Sequence, residues 1–189
     1  MKVIGISGSP RPNGNSEILL KHSLKPFYDK DWEVKEYLLS QISINPCLCC
    51  DYCMDSSICS IEDDMERIYE DYFDCDAMII ASPVYYRNIT AQLKAVIDRT
   101  YAKRSQKPLT GKVGGAIAVG RGTGGGQALA LSIIYNFYLS SGMLCVPGEL
   151  NGVSALADKP GDILKQENRL RQAIILGENV LKYTEKLRA

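Results

Sequence analysis

The chain has few of the residues and patterns on which the commonest catalytic and binding sites are built. It holds 189 residues with one histidine, one tryptophan and three phenylalanines. His22 falls inside the first helical stretch, so no acid–base triad is available and it reads as a surface residue. Lys+Arg and Asp+Glu are each 22, a formal net charge of zero. That excludes the basic footprint of a nucleic-acid or anionic-membrane binder. No apolar run reaches the ~20 residues of a membrane span. The N-terminus enters strand pattern after a single lysine and breaks at Ser7-Gly8-Ser9-Pro10. It has no signal-peptide pattern, and a cytoplasmic protein is expected. No internal repeat and no low-complexity linker divides the chain, so residues 1–189 read as one domain. Its 46% hydrophobic content is enough to fill a core. Both common phosphate fingerprints are missing from the loop after the first strand as well. That loop has no G-x-x-x-x-G-K-[ST], because no lysine follows Gly14, and no G-x-G-x-x-G.

What stands in their place is MKVIGISGSPRPNGNS, residues 1–16. Val3 to Ile6 is a short apolar run with β-branched residues, a buried strand. Gly8 to Gly14 has two glycines, two prolines and Asn13, which exclude helix. Asn15 or Ser16 can cap the helix that begins near Glu17. Strand, polar loop and helix N-terminus in that order make an anion site, where free amides and the positive end of the helix dipole converge. Ser7, Ser9 and Ser16 add hydroxyls, Arg11 a cation, and Asn13, Gly14 and Asn15 complete the loop. The set suits one terminal monophosphate. The competing reading is a plain strand-to-helix turn with polar filler.

Further strands are expected at Trp32–Leu39 (Trp32, Val34 and Leu38 on one face), Ala77–Ala81, Val113–Val119 and Met143–Val146. Helices are expected at Glu17–Phe27, closing near Pro26, at Asp63–Tyr72, after Thr90, through Ile133–Tyr138, and at Leu164–Leu187. Apolar strands alternating with helices imply a parallel sheet covered on both faces. The expected fold is α/β and flavodoxin-like, a five-stranded parallel sheet of order 2-1-3-4-5 with a Cys-rich insert loop at about residues 45–61. In such sheets a ligand sits beyond the carboxyl ends of the strands, where strand order reverses. The loops after strands one, three and four are the three unusual ones: GSPRPNGNS, SPVYYRN and GRGTGGG. The second offers Pro83, Val84, Tyr85, Tyr86 and Arg87 to line a flat ring. The third offers backbone amides of Gly120, Gly122, Thr123 and Gly124, with Arg121 as a charge near the ring. A monophosphate joined to a flat redox ring is flavin mononucleotide, FMN. Taken singly, the tyrosine pair reads equally as packing and the glycine run as a flexible turn. Neither of those readings explains their common edge.

The chain has seven cysteines, and five lie in PCLCCDYCMDSSICSI, residues 46–61. Cys47, Cys50, Cys53 and Cys59 form C-x2-C-x2-C-x5-C, with Cys49 between the first two. Four thiolates at this spacing can wrap one [4Fe–4S] cluster, as C-x2-C-x2-C runs of ferredoxins do. Structural zinc more often uses two knuckles with a longer spacer. Reduced cysteines lining a helix face at a repeat of three are the other alternative. Cys75 and Cys145 lie in apolar surroundings and read as core residues.

With these segments assembled, the chain resembles the iron–sulfur flavoprotein group of the flavodoxin-like, NADPH-dependent FMN reductase family. The resemblance rests on GSPRPNGNS, CLCCDYCMDSSIC, IEDDMERIY, ASPVYYRNITAQLKAVIDRT and the glycine loop. It implies FMN on the three loops and a [4Fe–4S] cluster on Cys47, Cys50, Cys53 and Cys59. It implies a homodimer or homotetramer in which one subunit's cluster approaches a neighbour's flavin. It also implies a ferredoxin-like electron donor and reduction of an acceptor such as oxygen or peroxide. Cys49 departs from the group, whose members more often have glycine there. Two other functions remain open from the residues alone: a cluster-free NAD(P)H-dependent FMN or quinone reductase, and a zinc-stabilised or redox-sensing module without enzymatic activity.

Overall fold

The computed structural model describes residues 1–189. Strands β1 (Lys2–Ser7), β2 (Glu33–Leu38), β3 (Ala77–Pro83), β4 (Val113–Gly120), β5 (Leu144–Cys145) and β6 (Val153–Leu156) form one parallel sheet. Its order is β2-β1-β3-β4-β5, with β6 also on β4. The expected order holds, but the expected fifth strand is split. β5 pairs only with Val113 and Gly114, and β6 pairs with β4 from Ile117 to Gly120. Pro147 and Gly148 follow Val146 directly. A proline lacks the ladder donor, so the chain leaves the sheet and re-enters it higher up.

Side chains of each strand alternate between two cores. Val3, Ala77, Ile79, Ile117 and Val119 face one core, closed by α1 (Asn15–Tyr28) and α6 (Glu167–Arg188). Ile4, Ile6, Met78, Ile80 and Ala116 face the other. That core is closed by α3 (Met65–Asp74), α4 (Ala91–Arg99) and α5 (Gly126–Ser140). A short helix, α2 (Tyr52–Ser56), lies within the cysteine segment.

Three boundaries differ from the sequence pattern. Pro26 sits inside α1 rather than ending it. Buried Phe27, edge-on to Trp32 with ring centroids 5.1 Å apart, secures the last turn despite the lost backbone bond. α6 begins at Glu167, after a 3-10 turn over Asp162–Lys165. On β2, Trp32 and Val34 join the first core, whereas Tyr37 and Leu39 join the second and Leu38 is only half-buried.

Helices α1 and α6 touch backbone to backbone at Gly177. A Cβ there would stand 1.9 Å from the Ser23 carbonyl oxygen. Gly177→Ala must force the helices apart, which costs about 1–3 kcal/mol or more. For a chain of this size each kcal/mol is about 2–4 °C of Tm. A thermal melt within 1 °C of wild type would contradict that packing.

All strands run the same way, so the loops after β1, β3, β4 and β6 emerge at one edge. No helix is long and apolar enough to cross a membrane.

Candidate functional site

At that carboxyl edge lies a cleft of about 320 Å³. Its walls come from the β1 loop (Ser9, Arg11, Gly14, Asn15, Ser16), the β3 loop (Pro83, Val84, Tyr85, Tyr86), and the end of β4 (Val119, Arg121). Ala157, Asp158 and Pro160, after β6, form the remaining wall and were not anticipated from sequence. The signal was present in Val153–Leu156, a short alternating run stopped by Asp158-Lys159-Pro160-Gly161.

The β1 loop delivers its amides as expected, though by different means. The helix begins at Asn15 with Gly14 as N-cap, and no side chain caps it. Asn15 faces away from the first turn: its amide donates to the Lys159 carbonyl and its oxygen accepts from the Ile163 amide. The amides of Asn15, Ser16 and Glu17 therefore have no partner within the chain, and the positive end of α1 opens on the cleft. The Ser16 hydroxyl is nearly buried, lines the cleft and is likewise unpartnered. Ser9 shapes the loop instead of offering a free donor. Its hydroxyl donates to the Arg11 carbonyl and accepts from the Arg11 amide. Gly14 packs so closely on it that a Cβ would stand 2.8 Å from the Ser9 oxygen. Ser7 is buried beneath the cleft, with its hydroxyl 3.5 Å from the Ser9 amide. Asn13 takes a left-handed φ of 54° and donates its amide to the buried Glu17 carboxylate, which Lys21 pairs. The β1 loop is thus held open from behind.

Tyr85 to Asn88 form a two-residue hairpin turn, each donating its amide to the other's carbonyl at 2.9 Å. Its central residues, Tyr86 and Arg87, have φ of 48° and 61°. A type I′ turn wants Asn-Gly at these positions, so the backbone is strained. The strain presents Tyr86 wholly to solvent at the cleft mouth. Arg87 lies off the cleft, against Gly126. Arg87→Gly should raise Tm by about 2–4 °C through relief of about 1 kcal/mol of strain; an unchanged melt would show that the turn is relaxed.

The glycine loop contributes less than expected. Gly120 lets the Gln127 side chain pack beneath it. Gly122, Thr123 and Gly124 do not line the cleft, and Thr123 borders a separate depression with Gln127 and Arg169. Arg121 does line it but is ion-paired with Asp158 across the mouth. His22 lies elsewhere, half-buried, with its Nδ1 2.9 Å from the Ile18 carbonyl.

The cysteine segment drapes over the α3–α4 face, and all seven cysteines are free thiols. Burial raises the Cys53 thiol, and its charged neighbours are the thiols of Cys59, Cys47 and Cys50. Cys49 is not among them. It is exposed, with φ 53°, a backbone that favours glycine. The Ser60 hydroxyl, 3.1 Å away, and the Tyr52 amide lower the Cys50 thiol, and the Cys49 amide points at Cys47 Sγ at 3.4 Å. Amide and hydroxyl donors on sulfur suit anionic thiolates. No three His, Cys, Asp or Glu side chains converge closely enough for a single metal ion. Cys75 is buried, its thiol raised to about 11 by burial, and Cys145 is half-buried, so both belong to the core side. No residue of the segment lines the cleft.

Residues 1–156 match the NADPH-dependent FMN reductase family. The chain belongs to this family. An iron-sulfur flavoprotein of Methanocaldococcus jannaschii is 38% identical over 95% of both chains. One of Archaeoglobus fulgidus is 40% identical over 77% of this chain and 75% of its own. The fold also matches the NAD(P)H:quinone oxidoreductase of Methanothermobacter marburgensis, with TM-score 0.71 at 17% identity over 95% of this chain and 96% of that one. As a member of the FMN reductase family, this chain is a flavin-dependent oxidoreductase and an FMN flavoprotein.

Proposed function

We propose that this FMN reductase family member is an electron-transfer flavoprotein with a [4Fe–4S] cluster on Cys47, Cys50, Cys53 and Cys59. The cysteine segment carries this reading: Cys47, Cys50, Cys53 and Cys59 keep the C-x2-C-x2-C-x5-C spacing, Cys53 and Cys59 are half-buried against the core, and the Ser60 hydroxyl lies 3.1 Å from Cys50 Sγ. When bound, the cluster moves single electrons and FMN one or two. The chain's own residues bind and orient. The amides of Asn15 to Glu17 and the Ser16 hydroxyl receive the FMN phosphate. Pro83 to Tyr86, with Val119, border the ring, and the Arg121–Asp158 pair closes the mouth without adding net charge.

Because the insert and the cleft do not meet within one chain, the cluster of one copy serves the flavin of another, in a homodimer or homotetramer. The apolar side chains Leu48, Tyr52, Met54 and Ile58 are exposed in the insert, a patch that a second copy would cover. A ferredoxin-like donor fits the cationic rim beside the insert. Lys103, Arg104 and Lys107 border a depression of about 810 Å³, and none pairs with a carboxylate. Lys103 also donates to the Ser57 carbonyl of the insert. Reduction by an acidic donor should slow steeply as salt rises from low to physiological strength; a salt-independent rate would remove that docking face. Oxygen or peroxide is the proposed acceptor.

Purification without oxygen, followed by a visible spectrum and iron and sulfide assays, tests the whole reading. About four irons per FMN are expected. A yellow protein free of iron and sulfide would leave a cluster-free NAD(P)H-dependent reductase in its place.

A further inference from the structure

Arg99 is the most deeply buried large side chain outside the apolar set, with its guanidinium 1% exposed. It ends α4 and points into the base of the cysteine insert. Nη1 donates to the Asn45 carbonyl at 3.0 Å and Nη2 to the Ile61 carbonyl at 3.1 Å. Asn45 stands two residues before Cys47, and Ile61 two residues after Cys59. The same fork grips Asp63 with both nitrogens, at 2.9 and 3.2 Å. Asp63 accepts in turn from the amides of Asn45 and Met65. One guanidinium therefore clamps the entry, the exit and the following helix start of the segment that carries four thiols. Tyr69 braces it from below, donating its hydroxyl to the Arg99 carbonyl at 2.6 Å.

The span between these anchors has little of its own to hold it. Its only helix is α2, five residues long with no buried residue. Cys49, Asp51 and Ser57 all take left-handed φ, of 53°, 57° and 56°, each a strained choice for a residue with a side chain. Such a backbone persists only where its ends are fixed. The Arg99 Nε is buried and lacks a partner.

We propose that Arg99, through Asp63 and the carbonyls of Asn45 and Ile61, is the positioning residue that fixes both ends of the cluster-binding loop. Resting on the cluster reading for its purpose, the clamp itself is a property of the iron-free chain. It matters because a loop whose two ends are fixed in advance spares the cluster part of the entropy of ordering it. An arginine serves where a lysine cannot, since only a planar fork reaches two carbonyls and both oxygens of one carboxylate.

The test compares wild type, Arg99→Lys and Arg99→Met, with hydrogen exchange read on iron-free protein and iron and FMN read after anaerobic reconstitution. In Arg99→Met, amides of residues 45–61 should exchange at least about tenfold faster, which corresponds to about 1.4 kcal/mol of lost local stability. Exchange in β1 and β3 should not change. Iron should fall while FMN stays near one per chain, and Arg99→Lys should recover part of the iron with an altered paramagnetic resonance signal. Unchanged exchange in the insert of Arg99→Met and Arg99→Lys would overturn the proposal, as would loss of FMN together with iron in both, the mark of a general core residue. Should wild type bind no iron, the exchange difference still decides the clamp, so its failure and that of the cluster reading are separable.

Discussion

Cys50→Ala is expected to give protein that keeps its FMN and loses nearly all of its iron. Cys50 is exposed, and its Sγ meets the Ser60 hydroxyl and the Tyr52 amide. Its removal opens no cavity and breaks no core contact, so folding and the flavin cleft should be untouched. A cluster held by three thiolates in place of four is labile, because each ligand is a covalent-strength metal–sulfur bond. The matched control is Cys49→Gly. Cys49 is exposed and lies outside the C-x2-C-x2-C-x5-C set, and it occupies a backbone conformation that suits glycine, so this variant should keep its iron and gain slightly in stability. Iron, sulfide and FMN contents of both proteins, prepared without oxygen, decide the matter. Iron retained in Cys50→Ala, or lost in Cys49→Gly, would assign the ligands differently.

The second large effect lies at the cleft. Ser16→Asp puts a carboxylate where an unpartnered hydroxyl lines the cleft beside three free amides. A phosphate there would face a like charge at about 4 Å, a repulsion of about 4 kcal/mol per charge pair at an effective dielectric constant of about 20. FMN affinity should fall on the order of 10²- to 10³-fold, while riboflavin, which lacks the phosphate, should bind almost as before. The Asp carboxylate also lies in the first turn of α1, where the helix dipole favours a negative charge, so the apoprotein should be no less stable. Fluorescence titration of apoprotein with both flavins reads the split. Equal affinity of wild type and variant for FMN would take the phosphate away from the α1 N-terminus.

How much of this was legible in the residues can be judged loop by loop. The β1 segment could be read because its logic is local. An apolar run, a glycine–proline break and a helix start need no distant partner to be recognised. The cysteine spacing was legible for the same reason. The caps were not. Asn15 looks like a cap, but its side chain is taken by Lys159 and Ile163, which lie 144 and 148 residues away. The glycine loop, read as a run of backbone amides beside the ring, reaches the cleft only through Arg121, with Val119 of β4 just before it. The split fifth strand and the wall after β6 stayed hidden because a four-residue strand, Val153–Leu156, has too little periodicity to stand out.

The residues alone determined a parallel α/β sheet, the edge that carries the cleft and the four-thiol motif. Each of those follows from short-range periodicity and spacing along the chain. The tertiary structure alone decided that Arg99 and Asp63, 36 residues apart, close the insert from beneath, that Asp158 answers Arg121, and that no residue of the insert lines the cleft. Those depend on how helices pack across a twisted sheet, where a buried charge finds its partner by proximity in space and leaves no regular interval in the sequence.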